Sequence, residues 1–279
     1  MKILVTGGTG FIGRHLVWKL AAEGCEVQFS GRNPEAAAEV IAHSPAPVRW
    51  LPLEHGSPLA KRLLADASRE HDAIVHCAAL SSPWGSPQAF ARANLDSTAE
   101  VIHACGKNRI PRLVHISTPS LYFNFSDRLG IREDQPLPPP VNDYARSKAQ
   151  AETLLADAKL PECVILRPRA VFGPWDATLM PRLLRVMQRG AIPLMRGGQA
   201  QLDLTCVDNL VHAVWLALTR PLPRPLCVYN LSNGTPLAFS QTLDISAIQR
   251  ELGYRPVISQ DQGIAQHAQW WLAQQRQKP

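Results

Sequence analysis

The segment "ILVTGGTGFIGRHL", residues 3–16, constrains this chain more than any other stretch. An apolar run, Lys2–Thr6, leads directly into Gly7, Gly10 and Gly13, and a helical pattern from Phe11 to about Ala22 follows and stops at Gly24. Glycines at this spacing let the backbone turn tightly between a strand and a helix. They also let it approach a pyrophosphate, which the free N–H groups and positive dipole end of the helix would hold. A glycine pattern alone is weak evidence, but here the strand precedes it and the helix follows it. The expectation is a dinucleotide site at this turn, with Gly7, Gly10, Phe11, Ile12 and Gly13 around the phosphates.

The same alternation continues down the chain. Apolar runs at Lys2–Thr6, Glu26–Ser30, Val48–Leu53, Ala73–Cys77, Arg112–Ser117 and Cys163–Arg167 are separated by helical patterns. One helix begins at Ser86 as N-cap with Pro87 at its first position, and another contains Tyr144 and runs to about Leu160. Strand–helix alternation implies right-handed crossovers and a parallel sheet covered on both faces, an α/β doubly wound architecture of Rossmann type. After Arg167 the chain turns Pro-rich ("RPRAVFGPWDATLMPRLL", "TRPLPRPLCVYN"). The expected division is a dinucleotide-binding domain over 1–168 and a mostly substrate-binding lobe over 169–279, with some segments returning to the main domain.

The tip of the second strand bears on the cofactor. An acid about 20 residues past the glycines would hold a ribose 2′-hydroxyl. Here the chain reads "VQFSGRN", with Ser30, Arg32 and Asn33 at the tip and no acid. Arg makes a forked contact with phosphate, so these residues point to a 2′-phosphate, and to NADP(H) over NAD(H). Glu54, after the third strand, is a candidate for the adenine amino group.

A second motif is "NDYARSK", residues 142–148. Tyr144 and Lys148 are four apart, which on a helix puts both on one face, about 6 Å apart at Cβ. An ammonium beside a phenol favours the phenolate, and such a Tyr could exchange a proton with an alcohol or ketone. The plain alternative is a helix capped by Asn142 or Asp143 whose first turn happens to contain both residues.

Composition narrows the partners. The chain has 279 residues, 46% of them apolar, and a net charge of +6. The basic residues are scattered rather than clustered, which disfavours nucleic acid and fits a phosphorylated small molecule. No apolar run reaches the roughly 18 residues of a membrane span. The start, "MKILVTGG", does not resemble a signal peptide, so the expected location is cytoplasmic. The 6 cysteines form no C-x-x-C and several sit in apolar runs, as expected of free buried thiols. The 9 histidines show no ligand spacing, so no metal is expected. His76 and His115 lie inside strand-like runs and read as core residues.

Taken in order, "TGGTGFIG" (6–13), "DAIVHCAA" (72–79), "ANLDST" (93–98), "LVHISTPSLYF" (113–123), "YARSK" (144–148), "LRPRAVFGP" (166–174), "VDN" (207–209) and "LDISAIQRELGYRP" (243–256) resemble one family. It is the extended short-chain dehydrogenase/reductases: nicotinamide-dependent epimerases, dehydratases and 3β-hydroxysteroid dehydrogenase-like enzymes. The resemblance implies that Tyr144 gives or takes the proton, that Lys148 assists it and holds the nicotinamide ribose, and that Thr118 hydrogen-bonds the substrate oxygen. Ser117 is the neighbouring candidate for that last role. It further implies that Ala78 and Ala79 line the cofactor channel, that Asn94 stands behind the site, and that Pro168 and Arg169 flank the nicotinamide.

Family members that dehydrate nucleotide sugars carry an Asp-Glu pair after the Thr, whereas "STPSLY" has Pro119 and Ser120. The resemblance therefore favours an NADP-dependent oxidoreductase acting on a hydrophobic carbonyl/alcohol pair of 3β-hydroxysteroid or β-keto type. Trp84, Phe123, Phe125 and Trp175 would form its apolar wall. The alternatives are a nucleotide-sugar epimerase with tightly bound NAD(P), for which Arg182, Arg185 or Arg196 could bind a diphosphate, and a non-catalytic NADP-sensing protein. A homodimer is common in such families. One departure stands out: "AFSQT" alone joins segments that relatives separate by several tens of residues, which points either to a naturally trimmed substrate lobe or, the favoured reading, to a stretch missing between Ser240 and Gln241.

Overall fold

The computed structural model describes residues 1–82, 84–126, 128–179, 181, 201–235 and 240–276. In chain order its strands are β1 (Lys2–Thr6), β2 (Glu26–Gly31), β3 (Val48–Pro52), β4 (Ala73–His76), β5 (Arg112–Ile116), β6 (Arg128–Ile131), β7 (Glu162–Pro168), β8 (Val171–Phe172), β9 (Gln201–Leu202), β10 (Thr205–Cys206), β11 (Leu226–Leu231) and β12 (Ser240–Leu243). Seven of them form the central sheet, in the order β11-β7-β5-β4-β1-β2-β3. Every neighbouring pair in it is parallel.

Parallel strands bury both faces, and the alternation of β1 shows how. Ile3 and Val5 join one apolar layer while Leu4 joins the other. The first layer is closed by α1 (Phe11–Ala22), α2 (Pro34–Ala42) and the helix Val207–Thr219, through Leu16, Val17, Leu20, Val40, Leu210 and Val214. The second is closed by α3 (Ala60–Ala67), α5 (Ser97–Asn108) and α6 (Asp143–Asp157), through Leu64, Val101, Ala104 and Leu155. The short α4 (Pro87–Phe90) starts where Ser86 Oγ accepts from Ala89 N–H, 3.1 Å. A π-helical turn, Ala91–Asp96, joins α4 to α5.

β11 shows what the Pro-rich sequence conceals. It adds beside β7 and extends the sheet by one strand. A second, three-stranded sheet has the order β6-β12-β9. Ser240 and Gln241 are consecutive residues of β12, paired to Gln201 and Leu202.

Strand order reverses at β1, which lies between β2 and β4. The loops leaving β1 and β4 diverge there, and the crevice at their carboxyl ends is where this architecture receives ligands. A cleft of about 450 Å³ opens there. No helix among the described residues is long and apolar enough to cross a membrane, and no group of His, Cys, Asp and Glu among them could hold a metal ion.

Candidate active site

The cleft is lined by Gly7, Thr9 and Gly10 from the β1 turn, Ser30, Gly31 and Arg32 from the β2 tip, Leu53–His55 after β3, and Cys77–Leu80 after β4, with Ala89, Arg92 and Ala93 closing it. Two of the glycines are sterically required. Gly7 has φ +69°, and a Cβ on it would lie 2.7 Å from Ala78 Cα. A Cβ on Gly13 would lie 2.1 Å from Gly7 O. Phe11, Ile12 and Gly13 open α1 behind this turn, with Gly13 packed on Gly7 and Phe11 edge-on to His15 at 5.8 Å.

A dinucleotide fits this cleft on two observations. The glycine turn leaves room where any side chain would collide. Ser30 Oγ, at the β2 tip beside Arg32, is buried without a hydrogen-bond partner among the described residues. Asn33 follows Arg32, and its Oδ1 caps α2, accepting from Ala36 N–H at 3.0 Å. Glu54 lies 3.6 Å from Arg92 Nη2. Arg92 escaped the sequence reading, although it stands two residues before Asn94 in the "ANLDST" region.

The proton-handling residues sit on α6 and at the end of β5. Asn142, not Asp143, caps α6, its Oδ1 accepting from Ala145 N–H at 2.8 Å. Tyr144 follows in the first turn, half-buried, its ring 6.3 Å from Phe90. One turn on, Lys148 is 2% exposed. Its Nζ donates to Ile116 O at 2.8 Å and to His115 Nε2 at 3.0 Å. Burial pulls its pKa down to about 8, against the opposing pull of Glu152.

Thr118 and Ser117 face different surroundings. Ser117 Oγ donates to the Glu152 carboxylate, which also receives Arg167 Nε at 3.0 Å and Nη2 at 2.5 Å. Arg167 continues to Tyr122 OH, which donates to Asn230 Oδ1 at 3.0 Å. The Ser117 hydroxyl is thus consumed by a buried charge network. Thr118 Oγ1 instead donates to Ser120 Oγ at 3.0 Å and accepts from Ser120 N–H at 3.1 Å, capping the 3₁₀ turn Pro119–Tyr122.

Other expected residues are structural in their contacts. Asn94 ties Leu80 to α6, accepting from Leu80 N–H at 2.8 Å and donating to Ser147 Oγ at 2.8 Å. Pro168 pairs with Leu231 on β11, and Arg169 N–H donates to Leu231 O at 3.0 Å. Arg169 Nε is buried without a partner among the described residues. The aromatic wall does not assemble as expected. Trp175 packs beside Trp18, His43 and Trp270, with Arg14 4.2 Å over its ring, because the turn after β8 folds back on α1. Phe123 and Phe125 pair at 5.0 Å, and Trp84 and Phe125 are exposed. Arg182, Arg185 and Arg196 lie outside the described residues.

The chain as a whole has relatives among known proteins. The model of the "NAD dependent epimerase/dehydratase family" matches residues 3–231. The chain belongs to that family. It is an enzyme of the extended short-chain dehydrogenase/reductase type. It is 34% identical to the uncharacterized protein YbjS of Escherichia coli (strain K12), covering 97% of each chain over 337 residues. That span exceeds the 279 residues here, so the relative has positions that this chain lacks. It is 33% identical to the 4-hydroxy-2-methyl-3-oxo-4-farnesyl-3,4-dihydroquinoline-1-oxide ketoreductase of Stigmatella aurantiaca, over 92% of this chain and 76% of that one. Among solved structures, DesIV, a dTDP-glucose 4,6-dehydratase of Streptomyces venezuelae with NAD and TYD bound, superposes with a TM-score of 0.83 at 25% identity, covering 99% of this chain and 98% of that one.

Proposed function

We propose that this chain is an NADP(H)-dependent oxidoreductase acting on a hydrophobic ketone/secondary alcohol pair of 3β-hydroxysteroid or β-keto type. The observation that carries the reading is the α6 pair: Tyr144 half-buried, with Lys148 fully buried one turn away and anchored to the end of β5. A nicotinamide, when bound, would supply or take the hydride. Tyr144 gives its phenolic proton to the carbonyl oxygen, or takes it from the alcohol, at the same atom. Lys148 offers a positive charge that favours the phenolate left behind. Thr118 Oγ1, whose hydrogen would leave Ser120 Oγ for the substrate, orients the substrate oxygen. Ser117 cannot share that duty while Glu152 holds it.

Arg32 and Ser30 support NADP(H): a cation and an unpaired buried hydroxyl stand at the β2 tip, with no acid among the residues there. The farnesyl-bearing 3-oxo compound in the name of the Stigmatella relative supports an apolar ketone. Dehydration of a nucleotide sugar is disfavoured, since Pro119 and Ser120 put no carboxylate after Thr118. A non-catalytic sensor is disfavoured by the retention of Thr118, Tyr144 and Lys148.

The test is a fluorescence titration of cofactor-free protein with NADPH and NADH, followed by a ketone panel read as NADPH oxidation. NADPH should bind tighter, and apolar ketones should be consumed. Equal affinity for both dinucleotides would remove the 2′-phosphate assignment. Nucleotide-sugar interconversion with a retained dinucleotide, and no ketone turnover, would replace the reductase with an epimerase.

A further inference from the structure

Behind Lys148 lies a row of histidines that the proton transfer just described does not use. Thr6, His76 and His115 are cross-strand neighbours at the ends of β1, β4 and β5. The His76 and His115 rings are 5.1 Å apart, and the His55 ring is 6.0 Å from His76. His76 and His115 are each 1% exposed.

Their tautomers follow from hydrogen accounting. Thr98 Oγ1 spends its hydrogen on Asn94 O at 2.7 Å, and Ser97 Oγ spends its own on Ala93 O at 2.6 Å. Both oxygens face His76 Nε2, at 3.3 and 3.5 Å, so they can only accept there, and Nε2 carries the proton. His76 Nδ1 then accepts from Thr6 Oγ1 at 2.6 Å. His76 is satisfied as a neutral ring. His115 presents Nε2 to the Lys148 ammonium, which only donates, so the His115 proton belongs on Nδ1. That Nδ1 has no hydrogen-bond partner among the described residues. A buried, unpartnered N–H is costly, and the arrangement makes sense if the other face of the ring has work to do.

We propose that His115 is a positioning residue for Lys148: its neutral Nε2 lone pair, with the Ile116 carbonyl, receives two ammonium hydrogens, holds the cation charged in a buried place and leaves one hydrogen free. The inference rests on the reading of Tyr144 and Lys148 as the proton-transfer pair. The groups facing Lys148 are His115 and His76 from the sheet, Cys77 after β4 and Glu152 on its own helix. Burial and the nearby ammonium keep His115 neutral, and burial, His55 and the ammonium do the same for His76. Burial pushes the Cys77 thiol up to about 12, so it too is neutral. Glu152 is committed to Ser117 and Arg167. His115 is thus the neutral side chain that hydrogen-bonds Lys148 directly.

An acceptor bonded to an ammonium favours the charged form, so its removal lowers the Lys148 pKa. In His115→Leu the alkaline limb of kcat/KM for ketone reduction should move down by about one pH unit or more, the worth of a charge-assisted hydrogen bond. His115→Gln, which keeps an acceptor near Nε2, should restore the wild-type limb. A loss of folded protein alone would scale the profile without moving it. An unmoved limb in His115→Leu would overturn the proposal.

A second arm needs no substrate. Long-range ¹H–¹⁵N NMR of the cofactor-free protein should show His115 protonated on Nδ1, and Lys148→Met should change that signal. A proton on Nε2, or a signal indifferent to Lys148→Met, would refute the inference even if ketones are reduced. If no ketone is reduced, the oxidoreductase reading fails while the tautomer still decides the role of His115.

Discussion

A buried lysine with a pKa near 8 makes a quantitative prediction about stability against pH. In the unfolded chain Lys148 titrates near 10.5, and in the fold near 8. The native state therefore binds fewer protons than the unfolded state between those values, and folding stability rises with pH across that window. Below the folded pKa the whole cost is present. The 2.5-unit difference corresponds to about 3 kcal/mol at neutral pH, nearly all of it relieved by about pH 10.5. Lys148→Met removes the titration, and it also strands His115 Nε2 and Ile116 O, but that loss is a constant offset. The difference between wild type and Lys148→Met, measured by urea denaturation, cancels the other groups. Among these are the buried thiols of Cys105 and Cys163, which burial pushes up to about 12. Wild type should gain about 2 kcal/mol on the variant between about pH 7 and pH 9.5. A gap flat to within about 0.5 kcal/mol would refute the reasoning, because a solvated Lys148 would titrate alike in both states.

Tyr144→Phe should reduce ketone turnover by about a thousandfold or more while leaving NADPH affinity within about twofold, since only the proton donor is lost. Arg32→Ala should weaken NADPH at least about tenfold more than NADH in fluorescence titrations, and equal losses would mean that Arg32 does not contact the 2′-phosphate. Glu152→Ala leaves Arg167 buried without its carboxylate and should cost about 3–5 kcal/mol by chemical denaturation. A loss under about 1 kcal/mol would show that the pair is hydrated. Gly13→Ala forces a Cβ against Gly7 O and should abolish binding of both dinucleotides.

Where local rules decide a feature, the sequence and the structure agree closely. β1 and α1 fall where the glycine motif placed them, because a strand–turn–helix with three glycines has few other conformations. The six runs read as strands are strands of the central sheet, displaced by a residue at some ends, since continuous Val/Ile/Leu runs suit only strands buried on both faces. Ser86 and Asn142 cap their helices through contacts three residues long. Tyr144 and Lys148 share a face because helical periodicity requires it.

Other features depended on neighbours far away in sequence. That the Ser117 hydroxyl, beside Thr118, is bonded to Glu152, 35 residues on, is visible only in the fold. Trp175 looked like a substrate wall, but it packs beside Trp18 and Trp270. The sequence by itself determined the alternating sheet, the phosphate turn and the α6 pair, because periodicity, glycine geometry and four-residue spacing act over a few residues. Only the tertiary structure brought His115, His76 and Ile116 from neighbouring strands around a lysine on a distant helix. Burial and partner choice are set by that convergence, and through them the charge on Lys148.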